Sequence, residues 1–145
     1  MKHIKKEFML DCGPEEAWEL VIDRSKYEKW AAAFHEGSTY TGDMALNATV
    51  NFVDTAGNGL VSKVVVFEPA KEIKFSFLGE INDGKYVEVA AFADMLEQYI
   101  FEPVGDQTKM LVDVAMDDSY YDMMNEMWDR AGTVLIKLSK DLPTR

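Results

Sequence analysis

One cysteine, two histidines and four prolines are all that this sequence of 145 residues holds of those three types. The lone cysteine, Cys12, cannot form an internal disulfide, which fits a reducing compartment. With only His3 and His35 beside it, the chain has no zinc-type cysteine pair and no two-histidine metal spacing, and it carries no glycine-rich phosphate loop. No metal and no cofactor are therefore expected. Basic residues are also scarce. Lys and Arg number 15 against 26 Asp and Glu, for a net charge of −11. Such a field repels nucleic-acid phosphates and anionic membrane surfaces, so neither is an expected partner. No apolar run approaches the ~18 residues of a membrane span. The charged start, Met1 to Glu7, lacks the apolar stretch of a signal peptide. The sequence reads as that of a cytoplasmic protein.

What is present is ordinary for a globular chain, with 48% hydrophobic and 28% charged residues. The length suits a single domain over residues 1–145, large enough to build a core without staples. Residues His3 to Leu10 alternate loosely and predict a strand. Gly13-Pro14 opens a helix with Ala17, Trp18, Val21 and Ile22 on one stripe. Ser25-Lys26-Tyr27-Glu28 has a capping-box pattern and predicts a second short helix running through Trp30 and Phe34.

From Gly37 the hydrophobic period changes to two. It predicts strands over 38–41, 48–53, 60–67, 73–78, 97–102 and 109–116, separated by turn sequences such as Ala56-Gly57-Asn58-Gly59 and Asn82-Asp83-Gly84. With the first strand this makes about seven strands at hairpin-like spacing, an antiparallel meander. The segment Lys85 to Met95 fits either a strand extension or a short helix. One face of the sheet is apolar and aromatic and has to be covered. The cover is the last segment, where Tyr121, Met124, Trp128, Ala131, Leu135, Leu138 and Leu142 recur at steps of three and four. Asp117-Asp118 and a capping-box-like Ser119 to Asp122 precede this helix, and Pro143 is placed to stop it.

The order of strand, two short helices, a run of strands and one long helix resembles the helix-grip arrangement of the START/SRPBCC superfamily, the fold of the birch pollen allergen. The sequence is most similar to its branch related to the activator of heat-shock-protein-90 ATPase. Gly13-Pro14-Glu15-Glu16-Ala17-Trp18 resembles the family's first helix, and Asp23 to Trp30 its second, ending in tryptophan. Val64 to Pro69 followed by Ile73 to Phe77 resembles a central hairpin of the family, and Tyr99 to Met110 its penultimate one. The stretch Gly79 to Met95 is longer than the usual link, and Phe77 stands where tryptophan is common. Either departure could reshape a cavity entrance.

The resemblance implies an α+β fold, a curved antiparallel sheet around the C-terminal helix, with a cavity between them. The candidate lining is Phe52, Phe75 and Phe77, then Tyr99 and Phe101, then Met110 and Val112, with Tyr121, Met124, Trp128 and Ala131 from the helix. Met116, Met123, Met124 and Met127 cluster near the start of that helix, and methionine suits adaptable apolar sites. Ala131 and Gly132 could leave room beneath it. Inward hydroxyls could come from Tyr40, Tyr99 or Tyr121, and Asp94 and Glu97 could guard an entrance.

Catalytic residues are not assigned. His35 beside Glu36 is the best acid/base pair on offer, and neighbours in a loop usually point apart. Cys12 is surrounded by Asp11, Glu15 and Glu16, which oppose a thiolate. The expected function is non-catalytic binding of a small hydrophobic or aromatic molecule. Two alternatives stand beside it: an interaction protein with a chaperone partner of the heat-shock-protein-90 type, and a cyclase or dehydratase acting on an aromatic or polyketide-like substrate. A homodimer would be plausible for the fold.

Overall fold

A computed structural model describes residues 1–142, leaving aside the side chains of Ala91 and Ala93. Pro143, the expected helix stop, lies outside the described residues. The chain begins with strand β1 (Lys2–Leu10), helix α1 (Pro14–Ile22) and helix α2 (Arg24–Ala31). Strands β2 (Thr39–Thr41), β3 (Thr49–Val53), β4 (Gly59–Glu68), β5 (Glu72–Asn82) and β6 (Lys85–Glu88) follow. After a 3₁₀ turn over Ala90–Asp94 come β7 (Leu96–Val104) and β8 (Gln107–Met116). A second 3₁₀ turn, Asp118–Tyr120, leads into helix α3 (Tyr121–Lys140). The segment of uncertain character thus divides into a short strand and a 3₁₀ turn. This gives eight strands among the described residues where about seven were expected.

All pairings are antiparallel, in the order β1-β8-β7-β5-β4-β3-β2, with β6 paired to β5 off that path. This is the expected α+β helix-grip fold. Two register shifts interrupt the β4–β5 pairing and leave Val65 and Leu78 without an opposite residue. Bulges of this kind bend and twist a sheet locally. Both unpaired side chains point outward, each 39% exposed. The concave face therefore keeps its alternation, with Ile73, Phe75 and Phe77 of β5 buried in one row.

Local chemistry fixes the helices that cover this face. Pro14 stands in the first turn of α1. The cap of α2 is Asp23 rather than Ser25: its carboxylate accepts from the Lys26 backbone N–H (3.4 Å) and from the Ser25 hydroxyl (2.6 Å). Asp117 similarly accepts from the Ser119 backbone N–H (3.0 Å), so the turn before α3 starts one element earlier than the capping-box pattern suggests. Helix α3 buries Trp128, Ala131, Gly132, Leu135 and Ser139. Gly132 leaves no free room there. A Cβ on it would lie 2.1 Å from Cε1 of the Phe8 ring, so glycine is what lets α3 approach β1. Ser139 secures the same end, its hydroxyl accepting from the Asp11 backbone N–H at 2.8 Å.

Candidate functional site

A cavity of about 400 Å³ opens between α2, α3 and the concave sheet. That is a usual size for a small-molecule site. Helix α2 and the residues after it contribute Tyr27, Trp30 and Phe34; the sheet contributes Phe52, Phe77, Glu97 and Tyr99; α3 contributes Met123, Met124, Met127 and Trp128. The exposed ends of this wall, His35 and Met123, mark the mouth, where Ser38, Asp54 and Asn58 also line the opening.

The rings are braced against one another. Trp30 and Trp128 lie with centroids 5.8 Å apart, Tyr27 meets Trp30 edge-on at 5.0 Å, and Phe34 meets Trp128 edge-on at 5.0 Å. Tyr99 reaches Trp128 at 5.7 Å from the sheet side. Such pairs are worth roughly 0.5–1.5 kcal/mol each beyond their burial, so this wall is stiff. The indole N–H groups of Trp30 and Trp128 are buried and meet no acceptor among the described residues.

One carboxyl group sits among these rings. Glu97 and Tyr99 are two residues apart on β7 and so face the same side. The Tyr99 hydroxyl donates to Glu97 Oε2. Withdrawal from water raises the Glu97 carboxyl from its ordinary 4.5 to about 7, and the hydrogen bond from Tyr99 acts the other way. Burial likewise raises the Tyr27 and Tyr99 hydroxyls above the usual tyrosine range, with Glu97 adding to both, so both stay protonated. At the mouth, Asp54 is held below the usual carboxylate range, first by the Asn58 backbone N–H.

Of the expected lining, Phe52, Phe77, Tyr99, Met124 and Trp128 are in the cavity wall. The other six are not. Phe75 is buried behind the wall, edge-on to Phe52 at 5.2 Å. Phe101 packs under α1, 5.5 Å from the Trp18 ring. Met110, Val112 and Ala131 close-pack in the core, and the Tyr121 ring lies beneath Lys2 Nζ at 4.9 Å. These positions share the right face but lie toward the closed end, where α1 and α3 fill the space. Tyr40 also turns away, donating its hydroxyl to the Ile22 carbonyl at 2.6 Å. Asp94 is exposed and outside the wall, whereas Glu97 is inside it.

The remaining chemical candidates separate cleanly. His35 Nδ1 donates to the Glu36 carbonyl (2.9 Å), so these neighbours form no side-chain acid/base pair. His3 pairs with Asp113 at 2.7 Å, far from the cavity residues along β1 and β8. Burial pushes the Cys12 thiol up to about 11, with Glu16 and Asp11 adding to the effect. It is a protonated, unreactive thiol at neutral pH. Among the described residues no three His, Cys, Asp or Glu side chains gather as metal ligands, and no helix is long and apolar enough to cross a membrane.

The chain has a helix-grip fold with a cavity between its helices and its sheet. Protein MLL2253 from Mesorhizobium loti is similar over 99% of this chain and 100% of its own, at 15% identity and a TM-score of 0.78. The Aha1 dimer from Colwellia psychrerythraea is similar over 98% of this chain and 96% of its own, at 17% identity and a TM-score of 0.73. DynU16, from the dynemicin biosynthetic locus, matches 97% of this chain at 15% identity and a TM-score of 0.71; the chain spans 48% of that protein. At these identities the likeness is one of fold. No family model matches the chain, and no curated protein matches its sequence.

Proposed function

We propose that this protein binds a small hydrophobic or aromatic molecule in the cavity between α2, α3 and the sheet, without transforming it. The observation that carries this reading is the wall itself: seven aromatic side chains (Tyr27, Trp30, Phe34, Phe52, Phe77, Tyr99 and Trp128) line an open space of about 400 Å³, with three methionines on one side. A wall left unfilled by its own side chains is unusual in close-packed interiors. A ligand burying ~300 Å² of apolar surface gains roughly 7 kcal/mol. Association costs remove a large part of that, so a purely apolar ligand binds at micromolar strength or weaker.

Thermal unfolding against lipids, flavonoids and small aromatic molecules tests the reading. A ligand at a hundred-fold excess over its dissociation constant stabilises by about 2.7 kcal/mol. Trp128→Ala removes a central wall ring and is expected to abolish these shifts while lowering stability by about 3–5 kcal/mol. Unchanged ligand shifts in that variant would sink the proposal.

A second reading is favoured by one observation. The Glu97 carboxyl, poised near neutrality beside Tyr99, is the kind of group a cyclase or dehydratase uses as a general acid or base. Turnover of an aromatic or polyketide-like substrate, lost in Glu97→Gln, would establish it. The closer kinship with the activator branch, a chaperone partner and a homodimer stay proposals, supported by likeness of fold to Aha1, which is a dimer in Colwellia psychrerythraea. Light scattering of the purified chain decides the dimer. A cytoplasmic location agrees with the free, buried thiol of Cys12.

A further inference from the structure

Glu97 is the charged group in the cavity wall that the protein leaves unanswered. Asp54 is engaged by the backbone N–H groups of Ala56 (2.8 Å) and Asn58 (3.0 Å), and His35 is turned to its neighbour's carbonyl at the mouth. Glu97 has the neutral Tyr99 hydroxyl, and among the described residues no lysine, arginine or histidine pairs with it. The groups facing it from other elements do not change this. Helix α2 offers the Tyr27 hydroxyl; the segment after it offers His35 at the rim; β3 is followed by Asp54; β5 offers Phe77; α3 offers methionines and Trp128.

A part-buried carboxylate without a counter-charge is costly unless a cation arrives or it takes up a proton. Two features favour an organic cation from solution, and one disfavours a metal ion. The rings of Tyr27, Trp30, Tyr99 and Trp128 stand around the same space, and aromatic faces attract organic cations. The net charge of −11 draws cations toward the molecule. A hard metal ion is a poor occupant, because it needs several oxygen ligands and the described residues supply no such group.

We propose that the cavity selects a protonated amine carrying an aromatic or other apolar body, with Glu97 as its counter-ion and the tryptophan and tyrosine rings as its cage. This rests on the ligand-binding reading above and names the ligand's chemical class. Amine binding requires the ionised carboxylate. Since Glu97 titrates at about 7, amine affinity rises with pH up to neutrality and then levels off. A neutral ligand of the same shape has no such dependence on Glu97.

The test is calorimetric titration with 2-naphthylmethylamine and 2-naphthylmethanol, which differ in charge and hardly in shape. At pH 8 the amine is expected to bind at least about tenfold more tightly, and about tenfold more weakly at pH 6 than at pH 8, while the alcohol holds steady. Glu97→Gln should lower the amine to the affinity of the alcohol. Equal binding of the two by the wild-type protein would overturn the amine assignment and leave the cavity reading standing. A surviving amine preference in Glu97→Gln would overturn the role of Glu97. Binding of neither probe to the folded protein would overturn both readings together. Should Glu97→Gln fail to fold, the wild-type pH profile and the matched pair still decide.

Discussion

Glu97 ties the cavity to the stability of the fold. Its carboxyl has the ordinary value of 4.5 in the unfolded chain and about 7 in the native one. Between these values the native state holds a proton that the unfolded state has released. Stability therefore falls as pH rises across that window, and the whole loss is present above it. At 1.36 kcal/mol per pH unit the loss is on the order of 3 kcal/mol. Glu97→Gln keeps the shape and removes the charge. It should be more stable than the wild type by about 3 kcal/mol at pH 8 and by less than about 1 kcal/mol at pH 5, as read from urea unfolding at both values. A destabilised variant at pH 8 would mean that the carboxylate is compensated. The sequence carried a signal for this residue. Glu97, Tyr99 and Phe101 form one period-two series, so an acid stood in an inward row. Period alone does not tell which inward position meets the cavity and which meets the core. For the same reason Phe75, Phe101, Met110 and Val112 share a face with the wall without lining it. Tyr27, Trp30 and Phe34 recur at steps of three and four but were absent from the expected lining, because their pairing with Trp128 depends on where α2 docks.

At the scale of elements, the strands and helices were readable nearly throughout, because their hydrophobic periods are clear and their breaks have definite turn chemistry. The misplaced features are those decided by a single hydrogen bond or by pairing across the sheet. Asp23 outcompetes Ser25 as cap of α2 because its carboxylate reaches the Lys26 N–H. Strand β6, one of the two forms the sequence allowed for this segment, arises where Asn82-Asp83-Gly84 turns the chain back onto β5, pairing Ile81 with Tyr86; all four of its residues are exposed. The seat of α3 depends on Gly132. A methyl group there would strike the Phe8 ring, which is itself confined between β1 and α3. Helix propensity alone favours alanine by about 1 kcal/mol. Here overpacking should outweigh it, and Gly132→Ala is expected to cost about 1–3 kcal/mol. Thermal melts of Gly132→Ala beside the double variant Gly132→Ala/Phe8→Leu give the check. The smaller side chain should recover part of the loss, and a single variant as stable as the wild type would show that α3 is not held at this distance.

The molecule as a whole carries its charge in one direction, and that governs how it answers to pH. At −11 and an isoelectric point near 4.5, self-repulsion at pH 8 opposes the compact state and fades on acidification. Glu97 acts in the same sense between its two values. The exposed carboxylates act in the opposite sense. Asp23 is held down first by the Ser25 hydroxyl, Asp54 by the Asn58 N–H and Asp117 by the Ser119 hydroxyl. What they contribute is present above the ordinary 3.8 and is lost as pH falls through their lower native values. Stability should therefore peak in mildly acidic solution, roughly at pH 5. Salt separates the two terms that weaken the fold at higher pH. Raising NaCl from about 0.01 M to 1 M shortens the screening length from ~30 Å to ~3 Å and removes most long-range repulsion. The desolvation of Glu97 is untouched by it. Scanning calorimetry from pH 4 to pH 8 at both salt concentrations should show a midpoint that falls above pH 5 in low salt. High salt should reduce that slope, and combining high salt with Glu97→Gln should nearly flatten it. A slope in high salt that persists in Glu97→Gln would place the coupling on another buried group. A midpoint rising steadily to pH 8 would contradict both the repulsion and the raised carboxyl. A single transition with equal calorimetric and van't Hoff enthalpies would, in the same scans, be the mark of one cooperative domain.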